Sequence, residues 1–290
     1  MRIVWNQYLV QGLLNISFKQ PDIHKCGFYR GDVILFLYIY DGYFLIPSSK
    51  YVERAISELK DTKMCQCKFG LGNRGDISDN LGINLAKTKD SNLELFQTHM
   101  IGNIIAEVGV GRIRRINPTP SAFTRILNQY IKAAACDCLF NYQTVVGIIN
   151  YLEQGSRLDM EYAVHQGTMF CSNPQQSHAD SIIHLCTYLQ ITRDQGIIIY
   201  PKKDLQLEAY ANADFIGNHN KRIASFDTSI AKSFSGFVIM FCACSFICTS
   251  KVKMYIPLFS FESESHSLSQ AFRETIPVME ISKEINNNVF

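Results

Sequence analysis

The hydrophobic pattern of the first sixty residues changes from helical to extended periodicity and back. In residues 4–16 and 52–59, apolar side chains recur every three or four positions, which predicts two amphipathic helices. Between them, residues 33–46 contain two apolar runs joined at Asp41 and Gly42, a dipeptide that favours a tight turn. The pattern therefore predicts a β-hairpin that carries the carboxylate of Asp41 at its tip.

The rest of the chain alternates between the same two patterns over longer stretches. Residues 81–85 and 93–96 predict a second hairpin, and residues 196–253 contain short apolar runs typical of strands. Residues 142–191 carry the apolar stripes of three packed helices, and residues 262–284 predict a final helix. Separate groups of strands and helices indicate an α+β fold.

Composition narrows the class of protein. The chain has 290 residues, of which 47% are hydrophobic and 19% charged, as in ordinary globular proteins with room for more than one domain. The formal net charge is only +2, so a nucleic-acid-binding surface would have to be local. There is neither a run of about 18 apolar residues nor a signal-like N-terminal segment. We therefore expect an intracellular protein, cytoplasmic or nuclear and not secreted, with no membrane partner and an unspecified oligomeric state.

The ten cysteines do not follow a metal-binding pattern. They include three Cys-x-Cys pairs, but no Cys-x-x-Cys pair of the kind that binds structural zinc. We therefore expect reduced, partly buried thiols rather than a zinc site.

A basic cluster precedes the helical half of the chain. It consists of Arg112, Arg114 and Arg115, and Pro118 and Pro120 follow it. Because proline disfavours regular structure, the segment predicts an exposed linker. Two interpretations are open: the arginines contact the phosphates of a nucleic acid, or they belong to a solvated linker without a ligand.

Several short blocks resemble one known family. The segment Tyr38-Ile39-Tyr40-Asp41 resembles a degenerate copy of the Tyr-x-Asp-Asp motif of reverse transcriptases. Further blocks follow the order found in the polyproteins of copia-type LTR retrotransposons: Trp5-Asn6, Leu13-Leu14, Phe18-Lys19-Gln20, Cys26-Gly27-Phe28-Tyr29, Asp79–Ile83, Tyr142–Leu152, Arg157–Val164, Tyr210–Phe215 and Glu262–Glu264. Essentially the whole chain therefore resembles a fragment of a copia-type Pol polyprotein.

The resemblance implies three regions. Residues 1–110 would be a partial reverse transcriptase palm and thumb, and residues 111–195 the basic linker and helical connection. Residues 196–290 would be a truncated ribonuclease H-like α/β domain. In the family, a first catalytic strand precedes this region and further ribonuclease H elements follow it. We therefore expect this chain to begin and end within domains.

The resemblance also identifies candidate catalytic residues. In this family clustered carboxylates hold paired magnesium ions, which act on an RNA template or an RNA–DNA hybrid. Asp41, Asp214 and Glu264 match catalytic carboxylates, and Asp41 and Glu264 match metal ligands. Tyr40 and Asn212 stand where the family has aspartates, and neither side chain brings a negative charge at neutral pH. We therefore expect no productive magnesium binding, no DNA synthesis and no ribonuclease activity.

The candidate nucleic-acid-binding residues are Leu81, Gly82, Arg112, Arg114 and Arg115. By resemblance, the hairpin that contains Leu81 and Gly82 would hold the primer end against the active site. The predicted function is that of an inactive fragment of the reverse transcriptase and ribonuclease H region. The alternative is a non-enzymatic module that binds RNA or an RNA–DNA hybrid. In a third interpretation, a longer gene product restores the missing acids.

Overall fold

The computed structural model describes residues 2–21, 23–38, 41–45, 49–61, 70–112, 117–121, 127–128, 135–200, 206–217 and 231–289. The chain divides into two compact units. The first consists of Met1–Ile77 with Glu274–Phe290, and the second of Ser78–Arg273. No helix in the described ranges has the length and apolar character needed to cross a bilayer.

The first unit contains one small sheet and the two predicted helices near the N-terminus. Its elements are α1 (Arg2–Asn15), β1 (Gly27–Arg30), β2 (Val33–Tyr38), β3 (Asp41–Leu45) and α2 (Ser49–Lys60). The strands are antiparallel in the order β1-β2-β3. Leu13 of α1, Phe28 and Leu35 of the sheet, and Leu59 of α2 are buried in one apolar cluster. This packing confirms the two predicted helices and the hairpin.

The turn of this hairpin was predicted at the wrong residues. Tyr38 pairs with Asp41, so Asp41 and Gly42 are the first residues of β3 and not the turn. The connecting residues 39 and 40 lie outside the described residues. Pairing along the whole of β2, in which Leu35 lies opposite Phe44, sets the register and places the turn two residues earlier than the Asp-Gly step.

The second unit is larger and contains two further sheets. Its elements are β4 (Asp79–Asn80), β5 (Ile83–Lys87), β6 (Leu93–Phe96), α3 (Thr98–Val108), α4 (Tyr142–Ser156), α5 (Glu161–Thr168), α6 (Gln176–Ile191), β7 (Ile197–Ile199), β8 (Leu207–Asp214), β9 (Phe234–Phe241), β10 (Cys244–Val252) and the first half of α7 (Ser260–Val289). The predicted strands, three packed helices and final helix are therefore confirmed. The three regions implied by the family resemblance stay a prediction.

Helices α3 to α6 enclose the main apolar core of this unit. Helix α4 begins at Tyr142 because the side chain of Asn141 accepts a hydrogen bond from the backbone N–H of Thr144. Ile104 of α3, Ile149 of α4 and Leu185 of α6 are almost fully buried together. This core supports a four-stranded antiparallel sheet in the order β4-β5-β6-β7.

The other sheet of the second unit has the order β10-β9-β8, and all its pairs are antiparallel. Helix α7 packs on this sheet, where Ala271 contributes to a cluster with Phe237 and Ile239. The described part of the chain thus contains seven α-helices and three antiparallel sheets. The α+β class is therefore confirmed at this level.

One pair of cysteines differs from the expectation of reduced thiols. Cys136 and Cys138 form a disulfide, and their Cα atoms are 5.2 Å apart, within the usual range for this bond. A backbone hydrogen bond from Cys136 to the carbonyl of Pro174 fixes the chain at this point. The expectation was wrong here because spacing along the sequence does not report the local bend of the backbone. Six further cysteines among the described residues are free.

Candidate nucleic-acid and metal-binding residues

The predicted basic cluster is only partly within the described structure. Arg112 is the last residue of a short 3₁₀ helix, Val110–Arg112, that follows α3. Arg114 and Arg115 lie outside the described residues. The interpretation of this cluster as a phosphate contact therefore stays a prediction.

Leu81 and Gly82 form an exposed two-residue turn between β4 and β5. They were predicted to begin a strand, but Asn80 pairs with Ile83 and leaves them as the connection. Their φ angles are +55° and +78°, as a tight turn of this length between antiparallel strands requires. A positive φ adds little conformational strain at Gly82, which has no Cβ, but it is sterically unfavourable at Leu81.

A tyrosine of helix α4 holds this turn in place. The hydroxyl of Tyr151 donates a hydrogen bond to the carbonyl oxygen of Leu81 at 2.6 Å. The side chain of Leu81 remains 52% exposed, so the turn presents an apolar group to solvent. The helical core thus fixes an exposed loop of the hairpin, which is the arrangement that a binding loop needs.

The end of α4 also packs closely against this hairpin. Gly155 lies where an added Cβ would be 2.5 Å from Oε1 of Gln97 and 3.2 Å from Cδ1 of Ile83. The hydroxyl of Ser156 donates to the same Oε1 atom at 2.9 Å, and Gln97 is almost completely buried. The hairpin and α4 therefore form one packed body within the second unit.

The candidate carboxylate of the first unit, Asp41, is exposed at the start of β3. Its cross-strand neighbour, Tyr38, is also exposed. Tyr40, which was predicted to replace the family's first aspartate, lies outside the described residues. Asp41 thus faces solvent from a strand, beside an exposed aromatic side chain.

Asn212 and Asp214 lie two residues apart on the exposed strand β8. The side-chain oxygen of Asn212 accepts a hydrogen bond from the backbone N–H of Ala213 at 2.8 Å. The carboxylate of Asp214 lies over Gly217, where an added Cβ would overlap it. The amide oxygen of Asn212 is therefore engaged with its own chain, and the carboxylate of Asp214 lies close to the backbone of Gly217.

Glu264 lies on α7, and Ser267 one turn later fixes that helix against β8. The hydroxyl of Ser267 donates to the carbonyl oxygen of Asn212 at 2.7 Å and lies 3.0 Å from the carbonyl oxygen of Gly236. Ser267 is completely buried, whereas Glu264 is exposed. The structure thus brings the helix that carries Glu264 next to the strand that carries Asn212 and Asp214.

These residues do not fit a magnesium site of the family type. Paired magnesium ions need several converging carboxylates. Asn212 has no negative charge, and its amide oxygen already accepts the hydrogen bond from Ala213. Throughout the described ranges, no group of three histidine, cysteine, aspartate or glutamate side chains is arranged to hold a metal ion.

The sequence did not predict a network of hydrogen bonds around the buried side chain of Arg157. Arg157, which is 2% exposed, donates from Nε and Nη2 to the two carboxylate oxygens of Asp159, each at 2.9 Å. It also donates to the carbonyl oxygen of Thr192 at 3.0 Å and to its hydroxyl at 2.8 Å. Tyr188 completes the network by donating to Asp159 at 2.6 Å. The arginine thereby joins the end of α4 to the end of α6.

The network controls the ionisation of Asp159. Burial by itself raises the pKa of this carboxyl group. The hydrogen bonds from Arg157 and Tyr188, together with the charge of Arg157, outweigh burial and hold the pKa below its usual range. The sequence does contain part of the signal for this network: Arg157 and Asp159, which have opposite charges and are separated by one residue, directly follow an amphipathic helix. Only the fold shows that Thr192 and Tyr188 complete it.

Comparison with known proteins finds several transposon relatives. The chain is 22% identical over 277 residues to a putative transposon Ty5-1 protein of Saccharomyces cerevisiae, and the match covers 94% of this chain and 84% of that protein. It is 25% identical over 225 residues to the retrovirus-related Pol polyprotein from transposon RE1 of Arabidopsis thaliana. It is also 25% identical over 228 residues to the corresponding RE2 polyprotein of Arabidopsis thaliana.

The two Arabidopsis matches each cover 76% of this chain but only 15% of the relative, so the chain spans a small part of those polyproteins. No protein-family model matches the chain. No solved structure matches it either.

Proposed function

The chain is a relative of copia-type retrotransposon Pol polyproteins, and we propose that it corresponds to their reverse transcriptase and ribonuclease H region and catalyses neither reaction. The observation that carries this proposal is the state of Asn212. By resemblance, this residue stands in the place of a metal-binding aspartate. Its side-chain oxygen accepts a hydrogen bond from the backbone N–H of Ala213.

The arrangement around β8 supports the loss of ribonuclease activity. Helix α7 and strand β8 are packed together through Ser267, so the candidate residues of the site lie on neighbouring elements. Negative charge is missing: Asp214 and Glu264 are exposed carboxylates, but the side chain of Asn212, two residues before Asp214 on β8, is a neutral amide. A two-metal mechanism requires anionic ligands that hold both ions in one geometry.

The hairpin of the first unit supports the loss of polymerase activity in the same way. By resemblance, Asp41 stands at the second of the family's two adjacent aspartates, and Tyr40 has a neutral phenol at the first. One carboxylate cannot replace a cluster, because each missing anionic ligand weakens metal binding and alters the geometry.

Catalysis is tested on the full chain with a labelled RNA–DNA hybrid and, separately, a primed RNA template, both with magnesium present. We expect neither cleavage nor extension above the buffer background. Cleavage by the natural chain that disappears in a Glu264→Gln variant would overturn the proposal for ribonuclease H. Template-dependent extension that disappears in Asp41→Asn would overturn it for the polymerase.

A second candidate function is the binding of RNA or an RNA–DNA hybrid without catalysis. The exposed turn at Leu81 and Gly82 favours it, because Tyr151 fixes this turn while the side chain of Leu81 stays accessible. The arginines at 112, 114 and 115 would add contacts to phosphates, which make binding depend on salt.

Binding is tested by fluorescence anisotropy with a labelled hybrid at low and moderate salt. We expect saturable binding that weakens as salt rises, and a further loss in Tyr151→Phe, which frees the turn. The matched control is Tyr8→Phe, because Tyr8 is exposed on α1 in the first unit. Salt-independent binding, or equal effects of the two variants, would contradict this candidate.

A further inference from the structure

A buried acid, Glu153, lies near the end of α4. Its side chain is 1% exposed. An ionised carboxylate in such a place is costly unless hydrogen bonds or opposite charges compensate for the lost water. Oε1 of Glu153 has no hydrogen-bond partner among the described residues. The ordinary ionised form of this residue is therefore poorly accommodated.

The groups that face Glu153 come from three elements. Glu161 comes from α5, Asp159 from the turn before α5, and Lys251 from β10. Two of these three groups are acids, and Lys251 itself is exposed. Cys248 of β10 is the remaining titratable neighbour of the two glutamates.

Glu161 in turn holds α5 against the outer edge of β10. Its Oε1 accepts a hydrogen bond from the backbone N–H of Ser250 at 2.8 Å. One helical turn later, Nε2 of His165 accepts from the backbone N–H of Val252 at 3.0 Å. These two bonds tie the helix to the strand edge, and Glu161 is the partner that also meets Glu153.

A direct hydrogen bond between two carboxyl groups requires a proton, because two carboxylates have no hydrogen to share. Burial raises the pKa of Glu153, the charge of Glu161 and the hydrogen bond to Glu161 raise it further, and the result is about 8. Asp159 acts in the same direction, and Lys251 opposes it. The proton therefore stays on Glu153 at neutral pH.

We propose that Glu153 and Glu161 share this one proton, and that the shared proton is a latch that keeps α5 on the edge of β10. When the proton leaves, two like charges face each other in a buried space. The repulsion displaces Glu161, so the hydrogen bond from Ser250 to Glu161 breaks, followed by the bond from Val252 to His165. The latch belongs to the fold itself, so it is present whether or not the chain binds nucleic acid.

The other shifted groups nearby do not titrate in the same pH range. Burial lowers the pKa of His165, and the charge of Lys251 lowers it further, so its ring stays neutral and accepts from Val252 at neutral pH. Burial raises the pKa of the Cys248 thiol to about 11, with the two glutamates acting in the same direction. The pKa of Asp159 is below its usual range. Between about pH 6 and pH 8, Glu153 is thus the shifted group that keeps its proton in the folded chain and loses it when the site opens to water.

The sign of the effect follows from proton linkage. The pKa of Glu153 is raised on folding, so its contribution to stability is full below the pKa of the unfolded chain. That contribution is lost as pH rises toward about 8. Over this range, an opening that exposes Glu153 to water becomes about tenfold more favourable for each pH unit.

The test is hydrogen exchange at the backbone amides of Ser250 and Val252 in the full chain. Protection factors, which remove the intrinsic pH dependence of exchange, are measured between about pH 6 and pH 8. We expect protection to fall about tenfold per pH unit in the natural chain. In Glu153→Gln it should stay high and flat, because the glutamine amide donates to Glu161 without titrating.

The matched control is Glu107→Gln, since Glu107 is an exposed glutamate of α3. It should show the same fall as the natural chain. Flat protection in the natural chain, or an equal fall in Glu153→Gln, would overturn the proposal.

A second measurement does not depend on the folding of the variant. The side-chain carboxyl carbon of Glu153 is followed by NMR in the natural chain as pH is raised. A titration step near pH 8 is expected. A step in the ordinary range of glutamate would overturn the latch.

Discussion

Removing one partner of the Arg157–Asp159 pair should destabilise the protein by an amount that depends on which partner is left. After Arg157→Met, the remaining Asp159 side chain is 42% exposed and regains water. After Asp159→Ala, the remaining Arg157 is 2% exposed and keeps its charge in a buried place. The second variant should therefore be the less stable one.

The magnitude follows from the burial of each group. Breaking a fully buried pair costs about 3–5 kcal/mol, and Asp159→Ala should fall in that range. Arg157→Met should cost about 2–3 kcal/mol, because the exposed half of Asp159 is rehydrated and the loss of the bonds to Thr192 remains. The double variant should cost less than the sum of the two single variants, since it leaves no unpaired charge.

The assay is urea unfolding at neutral pH, followed by circular dichroism, with the slope of the transition compared among the variants. Acidification gives an independent check. The pKa of Asp159 is lowered on folding, so its contribution is present above the pKa of the unfolded chain and is lost as pH falls through the folded value. The deficit of Asp159→Ala should therefore shrink in acid. Equal costs for the two single variants, or full additivity in the double variant, would refute this reasoning.

Two further pairs of substitutions test how the helices pack on the sheets. Ser267→Ala should lower the free energy of unfolding by about 1–3 kcal/mol, because the carbonyl of Asn212 loses a buried donor. Ser269→Ala, on the exposed side of α7, should change it by less than about 0.5 kcal/mol, and equal effects would contradict the packing role. Gly155→Ala should destabilise by about 1–3 kcal/mol, because its Cβ would meet the buried Gln97. Gly147→Ala on the same helix has open space around it and should stabilise by up to about 1 kcal/mol, so thermal unfolding of the pair should move in opposite directions.

The elements of the fold could be predicted from the sequence because their signals are local. Helix α4 has its apolar period and its cap, Asn141, within a few residues of each other, and the strands of the last sheet are short apolar runs. The turn of the first hairpin was placed wrongly, and the turn at Leu81 and Gly82 was predicted as the start of a strand, for one physical reason. Cross-strand pairing of β2 with β3 and of β4 with β5 decides which residues form each turn, so Asp41 lies in a strand and Leu81 has a positive φ.

The sequence predicted the parts of the candidate site that lie within one short motif, but not the contacts between distant segments. The spacing of Asn212 and Asp214 placed both on one strand, and the structure has both on β8. The contact that fixes α7 beside them joins residues 55 positions apart, Ser267 and Asn212. Likewise, Arg157 and Thr192 are 35 positions apart. Such contacts depend on how the elements pack, and no local pattern encodes them.

The side chains of α5 have a consequence for how this protein behaves at high concentration. Glu161 and His165 accept hydrogen bonds from two outward-facing backbone N–H groups of β10. This edge of the sheet therefore has fewer free groups that could pair with a strand of another molecule. At the opposite edge of that sheet, β8 is exposed along most of its length. Within this sheet, strand-by-strand aggregation should therefore begin at β8, and a lysine in place of the exposed Ala211 should reduce it.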